Sequence, residues 1–371
     1  MNFDFSDDQK FLKGEARKFL EANCPTSRVR GVLDDAARGY DETLWKAVAG
    51  QGWLGCAIPE EHGGLGLGHV ELCAIAEELG RVVAPIPFAS TVYMLAEAVM
   101  LAGSDAQKAD LLPRIAAGEV IGAVAVSEGP GVVSASTLKA TVDGGRLTGT
   151  KLPVTDGGIA DVAVVLAKEN GKPGLFLVDL KAAGVTREAL ETLDPTRDAA
   201  RLTFKDAPAQ RLGEAGEGFA LLEQIMDRAA VLIAFEQCGG ADRALEMAKE
   251  YALERYAFGR TIASYQAIKH KLADMYVKNE LARSNAYYGA WALNTNAPEL
   301  PVAASAARIA GCEAFWFASK ENIQTHGGIG FTWEMDCHLY FRRARQLSLV
   351  AGAPRVWKER LVSQLERRNA A

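Results

Sequence analysis

The hydrophobic period of this chain changes twice, and that limits it to a small set of architectures. Apolar residues recur at helical spacing up to about residue 118 and again from about 214 onward. Between them the period falls to two, with runs at 120–126, 138–142, 146–152, 162–166, 175–178 and 201–204. Asp143-Gly144-Gly145 and Asn170-Gly171 supply hairpin turns, because glycine accepts positive φ. Short strands without intervening helices predict a small antiparallel barrel or sandwich. The expected class is α+β, mainly α, in three parts: a helical domain 1–118, a β domain 119–213 and a C-terminal four-helix bundle 214–371. A chain of 371 residues is too long for one simple core.

Within the first part, Ser6 and Gln9 form a candidate capping box ahead of an apolar face containing Phe11, Ala16 and Leu20, and Pro25 ends that helix. Further helices are predicted over 44–52, 70–79, 90–102 and 105–117. The glycine-rich stretch 53–68 lacks the lysine and hydroxyl of a phosphate loop, so a nucleoside triphosphate site is rejected. In the third part, 218–243 reads as a long helix interrupted at Gly239-Gly240, since mid-helix glycine is unfavourable. A net charge of −6 argues against nucleic acid, and no run is long enough for a membrane span. Six scattered cysteines without a CxxC pair suit reduced thiols and give no metal signal. The acidic N-terminus lacks the regions of a signal peptide, and a cytoplasmic location is expected.

The most informative stretch is ERYAFGRTIASYQ, 254–266. Gly259 breaks the helical period between two amphipathic runs, and Arg255, Arg260 and Gln266 cluster around the break. Planar cations and an amide at a tight turn suit a phosphate-bearing ligand. An ordinary interhelical turn with solvated arginines is the simpler alternative.

The segment 255–266 resembles the RxxFGxxIxxxQ motif of the FAD-dependent acyl-CoA dehydrogenases. QTHGGIGF, 324–331, is similar to the QxxGGxGF segment of that family, and GCAIPEEHGGLG, 55–66, to its GxxIPExxGGxG signature. The similarity runs along nearly the whole chain. It implies FAD as cofactor, an acyl-CoA as substrate and an electron-transfer flavoprotein as acceptor. It also implies that Arg255, Phe258, Gly259, Gln266, Gln324, Gly327 and Gly328 reach the FAD of a neighbouring subunit. Ser127 and Thr155 are candidates for contact with the chain's own flavin, although surface and strand-packing roles suit Glu128 and Thr155 at least as well. His326 reads as a packing residue.

Other parts of the family pattern are absent. SEGPGVVSA, 127–135, stands where the family has TEP followed by GSD, and Pro153 replaces the tryptophan of the flavin-facing strand. The carboxylate that removes the α proton while hydride leaves for the flavin has two homes in the family. One aligns with Ala351, the other with Ala229 followed by Ala230. A two-residue shift brings Asp227-Arg228 into the second role, so Asp227 is the candidate substitute base. Glu236 is either a buried acid or a structural partner for an arginine on an adjoining helix. The retained motifs serve a neighbour's FAD and the lost ones serve the chain's own. This pattern resembles the base-less subunits of heteromeric α2β2 acyl-CoA dehydrogenases from bacterial breakdown of steroid side chains and dicarboxylic acyl chains. A self-sufficient homo-oligomeric enzyme using Asp227, and a flavin-free scaffold, are the alternatives.

Overall fold

A computed structural model describes residues 5–35 and 38–370; residues 1–4 of the acidic N-terminal stretch lie outside them. Helices come first: α1 Asp7–Asn23, α2 Thr26–Leu33, α3 Glu42–Gly50 and α4 His69–Arg81. A buried π-helical segment Ala89–Ala96 runs directly into α5 Glu97–Ala102, and α6 Asp105–Ala116 follows. The strands are β1 Gly122–Ala125, β2 Thr141–Asp143, β3 Arg146–Thr155, β4 Val162–Glu169, β5 Lys172–Asp179, β6 Val185–Ala189, β7 Ala199–Pro208 and β8 Gln210–Leu212. Then come α7 Gly218–Glu254, the two-residue strands β9 Tyr256–Ala257 and β10 Arg260–Thr261, and helices α8 Gln266–Asn294, α9 Leu300–His326, α10 Cys337–Val350 and α11 Pro354–Ala370. The helix, strand, helix succession is the one the hydrophobic period predicts. Ser6 and Gln9 do form a reciprocal capping box, and α1 stops at Asn23 as Pro25 requires. Among the described residues no helix is long and apolar enough to cross a membrane, no cluster of metal ligands occurs, and the six cysteines are buried and form no disulfide.

The chain forms two compact units, and α7 runs through both. One unit, residues 30–68 and 85–229, holds the sheet in the order β6-β7-β3-β2-β4-β5-β8, with β1 paired to β4. The pairs β1–β4 and β2–β4 are parallel and the others antiparallel. Val164, Leu166, Leu175 and Leu177 pack with Leu95, Val99 and Leu112 in the core of this unit. The stretch 55–66 folds back on itself: the Leu65 and Gly66 amides donate to the Gly55 and Ile58 carbonyls, each at 2.9 Å. A Cβ on Gly64 would lie 2.0 Å from the Ile58 oxygen, so this glycine serves chain packing.

The other unit is made of residues 1–29, 69–84 and 230–371, and among its described residues the strands are β9 and β10 and the rest of the regular structure is helical. Here the expected interruption at Gly239-Gly240 does not occur, and α7 continues through both. The glycines have a packing function instead. A Cβ on Gly239 would stand 1.8 Å from the Glu77 carbonyl oxygen, and one on Gly80 would stand 1.8 Å from the Glu236 oxygen. Helices α4 and α7 therefore meet backbone to backbone, reciprocally. Gly240 faces the Phe315 ring at a hypothetical 2.4 Å. We expect Gly239→Ala or Gly80→Ala to lower stability by about 1–3 kcal/mol through overpacking, read as a fall in the urea midpoint. Gly14→Ala, where a Cβ meets nothing within 4 Å on helix α1, is expected to raise it by roughly 0.5–1 kcal/mol.

Candidate functional site

The helices that lead into the segments around Gly259 and Gly327 meet at one end of the helical unit. Tyr251, in the last turn of α7, stacks on His326 at the end of α9, ring centroids 4.2 Å apart. The His326 ring nitrogen Nδ1 lies 2.9 Å from the Asn322 carbonyl oxygen. Burial pushes this imidazole below its ordinary pKa, against the opposing effect of that carbonyl, so the ring packs in its neutral form. Lys271 of α8 pairs with Glu321 of α9 at 3.0 Å and ties the third helix to the same end. Sequence reasoning passed over Tyr251, because a lone aromatic on a helix carries no signal distinguishing it from core.

The break at Gly259 is a two-residue hairpin. Arg260 pairs with Ala257 and Thr261 with Tyr256, leaving Phe258 and Gly259 as the turn at φ 51° and 80°. Both central residues are left-handed, as a turn between such short strands favours, and phenylalanine adopts that geometry at a steric cost. Phe258 is nevertheless 98% exposed, and Phe331 is 85% exposed. Tyr256, Ile329 and Trp333 are exposed beside them in the chain. Arg255, Gln266, Gln324, Gly327 and Gly328 are exposed too. A Cβ at Gly259, Gly327 or Gly328 would touch nothing within 4 Å, and at Gly328 the backbone does not need positive φ either. The chain's own packing gives no reason for glycine at 328. A bare backbone beside exposed arginine and glutamine is what a phosphate-bearing group needs when it approaches from outside the chain. The residues therefore fit a dinucleotide held elsewhere.

The strand-bearing unit is arranged differently. The Ser127 hydroxyl donates to the Gly129 carbonyl at 3.0 Å, within its own turn. Glu128 accepts from the amides of Lys139 and Ala140 at 2.8 and 2.9 Å and from Lys151 Nζ at 2.8 Å. Lys151 is fully buried. Burial alone would raise the Glu128 pKa, but the Lys151 ammonium and the Ala140 and Lys139 amides hold it below the usual carboxylate value. Thr155 is half-buried at the end of β3, opposite Ala199. The loop 127–140 is thus closed by a local carboxylate clamp.

The whole-chain comparisons agree with these motifs. Residues 6–119 match the family described as acyl-CoA dehydrogenase, N-terminal domain, and residues 216–365 match acyl-CoA dehydrogenase, C-terminal domain. Acyl-CoA dehydrogenase IpdE2 of Mycobacterium tuberculosis is 33% identical over 360 residues, covering 97% of this chain and 98% of that protein. The chain belongs to the acyl-CoA dehydrogenase family. Among solved structures, a variant of the Tcur3481–Tcur3483 steroid ACAD is 34% identical with a TM-score of 0.88, covering 98% of this chain and 99% of that one. The ChsE4–ChsE5 complex of Mycobacterium tuberculosis is 27% identical with a TM-score of 0.90, covering 99% of each chain.

The residues matched to the two acyl-CoA dehydrogenase base positions by motif spacing are placed as follows. Ala229 and Ala230 are completely buried in α7. Ala351 closes α10, and its carbonyl accepts from Trp357 Nε1 at 2.8 Å. Asp227 is 3% exposed on α7. Two residues subtend roughly 200° on an α-helix, so Asp227 and Ala229 point to nearly opposite sides. Its neighbour Arg228 pairs with the buried Glu97 at 3.4 Å. Glu236 lies 3.7 Å from Arg343 of α10, both 1% exposed, which is the structural pairing weighed for it. A depressed carboxylate stabilises the fold above its unfolded pKa of about 4.3, and that contribution is lost as pH falls through the lower folded value. For Glu128 this predicts that hydrogen-exchange protection of the Lys139 and Ala140 amides is kept at neutral pH and lost on acidification below the ordinary glutamate range, while Glu128→Gln removes it at neutral pH.

Proposed function

We propose that this chain is the base-less subunit of a heteromeric acyl-CoA dehydrogenase, lending contacts to FAD bound by a homologous partner. FAD is the cofactor of the family. When bound it accepts the hydride that leaves the β carbon of the acyl thioester. The α proton must go to a carboxylate at the same time, and alanine has no group to receive it. The observation that supports the reading is that Ala229 and Ala351, which motif spacing matches to the two base positions, carry no carboxylate while the segments 255–266 and 324–328 are intact and exposed at Arg255, Phe258, Gly259, Gln266, Gln324, Gly327 and Gly328.

In this reading Arg255, Phe258, Gly259, Gln266, Gln324, Gly327 and Gly328 face the partner's FAD. Ser127 and Thr155 are the residue of an inner flavin wall that has lost its tryptophan. Exposed aromatic side chains at 256, 258, 331 and 333 support an assembly that covers them, since large apolar side chains are stabilised by leaving water. The relatives named as two-protein assemblies support a partner subunit, and an α2β2 arrangement is part of the same proposal. An electron-transfer flavoprotein is proposed as the acceptor from the reduced flavin. Asp227 is not assigned the base role, because that role requires a two-residue shift from the ungapped register and a closer approach by its shorter side chain.

The test is to purify the chain alone and together with a co-expressed homologue that carries the base glutamate, then measure flavin per chain. The chain alone is expected to be colourless, and the pair yellow, with one FAD for every two chains and bleaching by acyl-CoA. A yellow chain that bleaches on its own would overturn the proposal.

A further inference from the structure

The β9–β10 hairpin presents two guanidinium groups on one face. Side chains alternate along a strand, and residues opposite one another in an antiparallel pair share a face. Arg260 lies opposite Ala257, and the Ile262 amide donates to the Arg255 carbonyl at 2.8 Å. Arg255, Ala257, Arg260 and Ile262 therefore fall on one side of the hairpin, and Tyr256 and Thr261 on the other. Ala257 carries only a methyl between the two arginines. Diagonal positions of this kind are about 7–8 Å apart, within reach of long side chains.

Arg260 is also held in place. Its guanidinium lies 4.0 Å from the centre of the Tyr265 ring. The Tyr265 hydroxyl donates to the Ala257 carbonyl at 2.9 Å, which fixes the ring to the hairpin and the cation to the ring. Stacking uses the face of a guanidinium and leaves its in-plane N–H groups available for a planar or tetrahedral oxyanion. Among the described residues neither Arg255 nor Arg260 has a carboxylate partner. Tyr265 is also the N-cap of the long helix α8, and no side chain caps that end. Its positive pole adds to the same field. Two like charges, one of them pre-ordered, beside an open glycine turn repel each other until an anion arrives.

We propose that Arg260 is a second diphosphate-binding residue, forming with Arg255 a two-pronged clamp on the diphosphate of the FAD carried by the adjoining subunit. It falls at an unspecified position of the RxxFGxxIxxxQ motif, and the inference rests on the proposed function above. Tyr265 is a positioning residue that acts through Arg260.

The experiment uses the co-purified complex, stripped of flavin and retitrated with FAD by absorbance and fluorescence. Arg260→Met is expected to raise the Kd for FAD by about tenfold or more and to flatten its dependence on salt, as loss of a charge-assisted contact should. Tyr265→Leu should raise it less, and Arg260→Lys should fall in between. Melting temperature and sedimentation of each variant check that the complex still forms, which an exposed hairpin residue should not prevent. An unchanged FAD affinity in Arg260→Met, with affinity lost in Arg255→Met, would overturn this inference and leave the proposed function standing. Unchanged affinity in both would sink the proposed function itself. Acyl-CoA also carries a diphosphate; if Arg260→Met weakens acyl-CoA binding and spares FAD, the clamp belongs to the substrate and the inference fails.

Discussion

The helical unit depends on a crossing where two backbones touch. Gly80 of α4 lies on the carbonyl of Glu236, and Gly239 of α7 lies on that of Glu77. No side chain larger than hydrogen fits at either point. The close approach carries buried charge with it. Glu77 takes Lys13 of α1 at 2.5 Å and Arg283 of α8, and Glu78 takes Arg17 of α1 through paired bonds at 2.8 and 2.9 Å. Arg283 reaches Asp242 of α7 as well. Burial would raise the Glu77 pKa, and Lys13 and Arg283 overcome it and hold the group ionised. Removing one member of such a network leaves an uncompensated buried charge, so α1, α4, α7 and α8 stand or fall together.

That rigid base sets the geometry at the far end of α7. Tyr251 and His326 stack there, the hairpin begins at Tyr256, and α8 starts again at Gln266. What the hairpin and the Gly327 turn expose has no use inside the chain: an almost fully exposed phenylalanine in a left-handed turn, and a glycine at 328 with nothing to avoid. The strand-bearing unit has gone the opposite way. Glu128, Lys151 and the amides of the 127–140 loop satisfy one another. Outward-facing features kept without local need, and inward-facing ones replaced by self-sufficient contacts, are what a subunit serving another's cofactor would retain and lose.

The sequence carried much of this because local physics dictates it. Period and caps located the helices, and the Ser6 box closed as expected. Strands β4 and β5 were legible as apolar runs because both faces are buried. Strand β6 was missed because it is mostly exposed and has no apolar face, and β8 because it has three residues. Gly239-Gly240 was misread as a break: helix propensity is a local preference, and the contact that overrides it comes from Glu77, far off in the chain. The Glu128–Lys151 clamp and the Arg260–Tyr265 stack had no signature either, since spacing alone does not say which charges meet. At the candidate site the motif letters were readable, but the direction of Asp227 relative to Ala229 required the helix.

The central claim is that this chain holds no group able to take the α proton of an acyl-CoA thioester. Proton exchange at that carbon reports the base directly, without requiring hydride transfer. Incubating the purified chain alone, with FAD added in excess, with an acyl-CoA in D2O, and following deuterium at the α carbon by mass spectrometry, is therefore the most direct measurement. The account predicts no exchange above the rate in buffer, and exchange once the partner subunit is added. Exchange by the chain alone that disappears in Asp227→Asn would contradict it.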